Sequence, residues 1–247
     1  AGAIYRFTWG TFCDWYIEFT KPVLQGDDQA AIAETRATAG WALDQILLLL
    51  HPFMPFITEE LWAEMAAARD HSLINSPWPK YSGLGDPDAE AEIDWVVRAV
   101  SQIRSVRAEM NVPPKAKIPL ILKDAGDMAQ ARMGRHQGLI QRLARLSSLE
   151  ELDGEVPKGA IQDVLDEATI ILPIAAVIDL DSEKARLEKE IAKMNAEVER
   201  FKEKLANEKF IANAPQAVVE TEREKLKDAI NQRAKIDEAL GRLTAAS

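Results

Sequence analysis

Between Arg98 and Lys117 the chain gathers Arg98, Arg104, Arg107, Glu109, Asn111, Lys115 and Lys117, the segment whose residue types could do chemistry. Guanidinium and ammonium groups neutralise phosphates, and a carboxylate and a carboxamide at a turn match the Watson–Crick edges of unpaired bases. The same residues also fit a solvated helix face in which Glu109 pairs with a neighbouring arginine. A second basic group, Arg132, Arg135, Arg142 and Arg145, recurs at helical spacing and reads more simply as solvated surface. Trp9, Phe12, Trp15 and Tyr16 could stack on bases, but their spacing better suits the side of a helix that faces other helices.

Bond-making chemistry has no comparable support. His51, His71 and His136 stand far apart, without metal-ligand spacing or a nucleophile partner. Gly83-Leu84-Gly85 lies in a proline-rich loop with no preceding strand, unlike a phosphate-binding loop, and Glu59-Glu60 reads as a helix cap. The single cysteine, Cys13, excludes an intramolecular disulfide and a multi-cysteine zinc site, fits a reducing compartment, and reads as a buried small hydrophobe. The longest apolar run, Ile46 to Leu50, is far short of the ~20 residues of a membrane span, and no signal-peptide pattern opens the chain. The expectation is a cytoplasmic chain with no catalytic residue, metal site or cofactor of its own.

A net charge of −10 over 247 residues argues against a nucleic-acid partner until its distribution is considered. Residues 1–97 carry a net −10, residues 146–180 a net −7, and residues 181–247 balance to zero. Residues 98–145 hold ten lysines and arginines against three acids, so the basic excess is confined to the middle.

The elements that must carry these residues follow from periodicity. An aromatic helix through Phe12, Tyr16 and Phe19 should stop at Lys21-Pro22; a second should run from Asp27-Asp28 to Leu50, where His51-Pro52 ends it. A third should begin near Thr58, as N-cap, and a fourth should run from about Asp88 to Val112-Pro113-Pro114. The Asn75–Pro87 stretch, rich in proline and glycine, reads as a loop. Ile118–Leu122 and Thr169–Ile174 read as strands enclosing a helical stretch from Met128 to Leu146.

Apolar residues at Leu187, Ile191, Met194, Val198, Phe201 and Leu205 then keep heptad spacing, and Leu226, Ala229, Ile236, Leu240 and Leu243 make a second seam beyond Asn213-Ala214-Pro215. Two arms of about 25 residues would each be roughly 40 Å long. The expected fold is mainly α: a helical bundle over 1–114, a small α/β subdomain over 115–178 and an antiparallel coiled-coil hairpin over 179–247. The heptads alone also fit an oligomerising rod.

Several of these segments carry a family resemblance. Phe12-Cys13-Asp14-Trp15-Tyr16-Ile17-Glu18 and His51-Pro52-Phe53-Met54-Pro55-Phe56-Ile57-Thr58-Glu59-Glu60-Leu61-Trp62 resemble the anticodon-binding helical domain of the class I aminoacyl-tRNA synthetases for valine, isoleucine and leucine. Ile103-Arg104-Ser105-Val106-Arg107-Ala108-Glu109-Met110-Asn111 before Pro113, and Asn207-Glu208-Lys209-Phe210 leading through Ala214-Pro215 to Val218-Val219, are similar to the bacterial valyl-tRNA synthetases. The isoleucine enzyme commonly ends in a cysteine zinc module, which Cys13 alone cannot build.

The resemblance implies a parent enzyme that charges valine tRNA, with ATP and magnesium in a catalytic domain and with an editing domain; neither ATP-handling signature occurs between Ala1 and Ser247. It implies a non-catalytic, monomeric piece whose partners are valine tRNA and those two domains. Carried over, Arg98, Arg104, Arg107, Glu109, Asn111, Lys115 and Lys117 would lie near the anticodon, with Glu109 accepting from cytosine and Asn111 pairing with adenine. Lys202, Lys204, Lys209, Arg223 and Lys225 near the hairpin tip would meet the outer corner of the tRNA, although the hairpin has no net positive charge. A ribosome-associated factor with a similar terminal hairpin is the other translation reading, one in which the Phe12–Glu18 and His51–Trp62 segments have no place.

Overall fold

Helix caps and one proline set the elements of the first part of the chain. In the computed structural model, which describes residues 1–66, 68–166 and 168–246, α1 (Gly2–Phe7), a π-helical run (Thr8–Tyr16) and α2 (Ile17–Leu24) follow without a break. The stop expected at Lys21-Pro22 falls inside α2 instead: Pro22 gives up the one amide bond it would donate, and the helix ends two residues later at Leu24. Phe12 is buried there, while Trp9 is exposed and Cys13 only half-buried, short of the burial its type suggested.

Asp28 caps α3 (Gln29–Leu50), accepting from the Ala30 and Ala31 amides at 3.0 and 3.1 Å. The next helix, α4 (Pro55–Glu64), starts a turn earlier than expected, because Pro55 at its first position is pre-set for helix. Thr58 is therefore no N-cap: its hydroxyl donates to the Met54 carbonyl at 2.8 Å and lies 2.8 Å from His51 Nδ1. Trp62 packs with Leu47 and Leu73, and its indole N–H donates to the His71 carbonyl at 3.1 Å. Arg69 lies 3.7 Å over the Trp62 ring and grips Asp44 through two bonds of 2.7 and 2.9 Å. The Glu59 carboxylate takes the Leu73 and Ile74 amides. The His51–Trp62 segment thus holds its own unit together.

Packing divides the chain into two compact units, Ala1–Val97 and Arg98–Ser247, with the division inside α5 (Pro87–Glu109). Val100, Ile103, Val106 and Met110 form one fully buried stripe at its C-terminal end.

The second unit contains a four-stranded sheet in the order β2-β1-β4-β3, from β1 (Ile118–Lys123), β2 (Leu146–Glu151), β3 (Ala160–Leu165) and β4 (Ala168–Pro173). β1 and β2 are parallel, joined through α6 (Asp127–Arg135) and α7 (Gln137–Ala144), and the other two pairings are antiparallel. Two of the four strands, β2 and β3, lack the apolar run that marks the other two.

The hairpin follows: α8 (Leu180–Ala206), a short α9 (Glu208–Asn213) at the tip, and α10 (Gln216–Ala246) returning along α8. Leu187, Met194, Val198 and Phe201 are buried on one arm and Val219, Ala229, Ala239 and Leu243 on the other, so the seam closes within the chain. At the base, the Gly159 amide donates to the Ala246 carbonyl at 2.8 Å. Gly159 has φ +70°, and a Cβ there would lie 2.4 Å from that of Ala175, so only glycine fits.

Candidate nucleic-acid interface

The basic segment ends α5 in a tight cap. Val112 N–H reaches back to the Arg107 carbonyl at 2.9 Å and Asn111 N–H to that of Ala108 at 3.1 Å, with Asn111 left-handed at φ 49°. This is the Schellman arrangement, and asparagine is one of the few side-chain-bearing residues suited to its left-handed position. Asn111 therefore has a backbone task, and its side chain remains exposed.

Arg107 has an internal task too. Its buried guanidinium donates to the carbonyls of Ala116 at 2.8 Å and of Pro113 and Arg145 at 3.4 Å. Burial, and then the nearby Arg145 cation, lower its pKa. The same carbonyls cannot be served while the group sits on a phosphate, so Arg107 braces the turn after α5 rather than presenting itself to a ligand. Arg104 Nε donates to the Leu143 carbonyl at 3.0 Å, tying α5 to the end of α7.

Glu109, the expected cytosine reader, is committed to the base of the hairpin. It accepts from Ser105 at 2.9 Å and from Arg242 at 3.3 Å, and its backbone carbonyl takes a bond from Arg186 at 3.4 Å. Arg242 also lies 3.5 Å from Asp163 and 2.7 Å from Glu238; Arg186 binds Glu183 and Glu190 at 2.5 and 2.6 Å. Arg98 forms a two-bond pair with Asp166 at 2.6 and 2.9 Å, which holds the Asp166 carboxyl below its ordinary range. The Arg98–Asp166, Arg242–Glu109 and Arg242–Asp163 pairs border a groove of about 470 Å³, lined also by Gln102. With acids and bases interleaved, the groove is no funnel for phosphate.

Lys115 and Lys117 differ: both are exposed and have no carboxylate partner among the described residues. Arg145, also exposed, caps α7 in a left-handed conformation with φ 53°. Of the expected residues, then, Lys115 and Lys117 present free cations and Asn111 an exposed carboxamide.

On the arm, Lys202 pairs with Glu199 at 2.8 Å, Lys204 with Glu222 at 3.1 Å, Arg223 with Glu220 at 3.5 Å and Lys225 with Glu222 at 3.0 Å. Exposed pairs of this kind are weak and exchange readily for a phosphate. Glu222 is the exception, since its carboxylate is buried between the arms, and Lys225 and then Lys204 hold its pKa down. Lys209 stands on α9, its side chain exposed and without a carboxylate partner among the described residues.

Sequence reasoning missed Arg242, Arg186 and Asp163, whose roles come from long-range contacts. It also missed Glu222, for which a signal exists: with Val219, Leu226 and Ala229 it keeps heptad spacing, so a charge occupies a seam position.

Residues 1–122 match the family model described as the anticodon-binding domain of tRNA ligase, and residues 179–244 match that of the valyl tRNA synthetase tRNA binding arm. The chain is 52% identical to the valine–tRNA ligase of Caulobacter vibrioides, with 99% of this chain and 27% of that protein aligned. The corresponding enzymes of Brucella suis (50% identity, 100% of this chain and 27% of the relative) and Mesorhizobium japonicum (49%, 98% and 26%) are similar over the same extent. The chain thus spans about a quarter of the length of these relatives. With one model matching each end and half of all positions identical throughout, the chain belongs to the valine–tRNA ligase family and corresponds to its anticodon-binding domain and tRNA-binding arm.

Proposed function

We infer that this chain holds valine tRNA for an enzyme that attaches valine to it with ATP, and that the attachment chemistry resides in other segments of the parent protein. Residues 1–114 serve the anticodon stem-loop, residues 115–178 connect, and the hairpin over 179–247 reaches the outer corner of the tRNA. The observation that carries this reading is the pairing of the two matched segments with a hairpin whose base is tied to the α/β sheet: a rod roughly 40 Å long extending from a fixed base suits a large, rigid ligand. The role is orientation. Contacts far from the reacting end place the terminal adenosine and raise efficiency without taking part in bond making.

Lys115 and Lys117 on the body and Lys202, Lys209 and Arg223 on the arm supply phosphate contacts, while Lys204 and Lys225 keep their buried partner Glu222 and add positive charge beside them. The chain works as a monomer in the cytoplasm and needs no metal or cofactor of its own; ATP and magnesium belong to the catalytic segment. No helix among the described residues is long and apolar enough to cross a membrane. The intramolecular seam supports the monomer over the oligomerising rod, and light scattering on the purified chain checks it.

The test is binding of this chain to valine tRNA and isoleucine tRNA over a salt series. Preference for valine tRNA that collapses when its anticodon is exchanged is expected. Equal binding to both would leave only a basic surface, and a chain that binds neither would remove the tRNA-holding role.

A further inference from the structure

β1 and β2 run parallel with Ile118 opposite Leu146, and each strand is entered through a cation, Lys117 on one and Arg145 on the other. Neighbouring strands lie about 4.8 Å apart, so these residues stand side by side at one end of the sheet. Lys115 lies two residues upstream, on the turn that Arg107 holds by the Pro113 and Ala116 carbonyls. Arg107 also donates to the Arg145 carbonyl and brings a fourth positive charge up behind the other three. Elsewhere the fold matches many cations to acids, as in Arg69–Asp44, Arg98–Asp166, Arg186–Glu183 and Arg242–Glu109. Lys115, Lys117 and Arg145 have no carboxylate partner among the described residues.

Like charges held together without a counter-charge repel, and the arrangement is relieved by an anion. Two α5 residues hold this cluster in place: Arg107 braces the turn that carries Lys115, and Arg104 ties α5 to the end of α7. All three exposed groups are cations with no carboxylate or carboxamide among them to read a base amino group, so the surface meets the charge of a sugar-phosphate backbone, which is the same along any sequence.

We propose that Lys117, Arg145 and Lys115 form a contact site for an RNA sugar-phosphate backbone on the α/β part of the chain. Arg145 lies in the 123–178 stretch that neither family model covers. The site rests on the reading that this chain holds tRNA, and deepens it: the connecting unit is itself a tRNA contact, indifferent to anticodon.

The test measures binding of the 247-residue chain to valine tRNA and to isoleucine tRNA from 50 to 300 mM salt. The doubly substituted Lys117→Ala/Arg145→Ala chain is compared with the unchanged chain and with Lys117→Arg/Arg145→Lys. Each phosphate contact contributes about 0.7–0.9 to the slope of log K against log salt, so the alanine pair should lower the slope by about 1.5 and weaken both tRNAs by about tenfold near 0.1 M salt. The charge-keeping pair should stay near the unchanged chain, which separates lost charge from lost folding. Unchanged affinity and slope in the alanine pair overturn the site, even if preference for valine tRNA persists. A slope that falls for both tRNAs while the unchanged chain prefers neither upholds the site and overturns valine-tRNA recognition instead. Absence of any RNA binding by the unchanged chain overturns both.

Discussion

Glu109 and Arg242, 133 residues apart in the chain, meet carboxylate to guanidinium at 3.3 Å and join the end of α5 to the last turns of α10. Asp163 on β3 and Glu238 share the same guanidinium, and Arg186 on α8 takes the Glu109 carbonyl. Both hairpin helices are therefore fastened to one residue of α5. Charged hydrogen bonds with both partners largely out of solvent contribute roughly 1.5–3 kcal/mol each. Arg242→Ala should lower stability by about 2 kcal/mol and loosen the arm at its base. Spin labels at Lys209 and Gln130 should report a broader tip-to-body distance distribution, whereas an unchanged distribution would show that Gly159–Ala246 and the seam suffice. Glu109→Gln should weaken the same fastening and leave the preference between tRNA anticodons as it was.

Arg107 illustrates how a cation with the sequence context of a ligand becomes a brace. Three backbone carbonyls depend on it in a buried position, so Arg107→Met should cost about 3 kcal/mol in urea unfolding through carbonyls left without donors. Arg107→Lys should recover little, because an ammonium lacks the planar fork that spans separated acceptors. Full stability in either variant would mean that water replaces the guanidinium.

The contrast between these residues and the rest of the chain shows which relationships a sequence carries. Period and caps are local, so α3, α5, β1, β4 and both hairpin seams were legible from Asp28, the Val100–Met110 stripe, two apolar runs and the heptads. β2 reads Leu-Ser-Ser-Leu-Glu-Glu and β3 Ala-Ile-Gln-Asp-Val-Leu; each gains its strand state from a neighbour, so neither had a period of its own. At Pro22 the helix runs two residues past the stop its ring suggests, and at Pro55 a pre-set φ starts α4 a turn before Thr58. In the candidate site the residue types were legible and the partners were not: nothing near Glu109 in sequence announces Arg242. The family motif at His51–Trp62 was readable as a signature, but Thr58, Glu59 and Trp62 turn out to secure their own unit.

Asn111 separates backbone need from recognition. Its left-handed φ of 49° is the position glycine fills best, so Asn111→Gly should hold stability within about 0.5 kcal/mol and Asn111→Ala should lose about 1 kcal/mol. Since the glycine variant keeps the cap and deletes the carboxamide, its tRNA binding isolates the side chain. Preference for the valine anticodon should persist; its loss in a fully stable glycine variant would return the adenine contact to Asn111.

Asp166 gives the second unit an acid sensitivity with a defined sign. Arg98 holds its carboxyl below the ~3.9 of an unfolded aspartate. A depressed folded value means that the pair contributes in full above about pH 5 and loses its contribution as pH falls through the folded-state value. The stability difference between the unchanged chain and Asp166→Asn should therefore be flat from pH 7 to about 5 and shrink below about 4. Asparagine also suits the left-handed φ of 50° at this position, which offsets the difference by a constant and leaves its pH profile alone. Both side chains are more than a third exposed, at 44% and 37%, so added salt should flatten the profile. A difference that ignores both pH and salt would show that the Arg98–Asp166 contact is held by geometry rather than by charge.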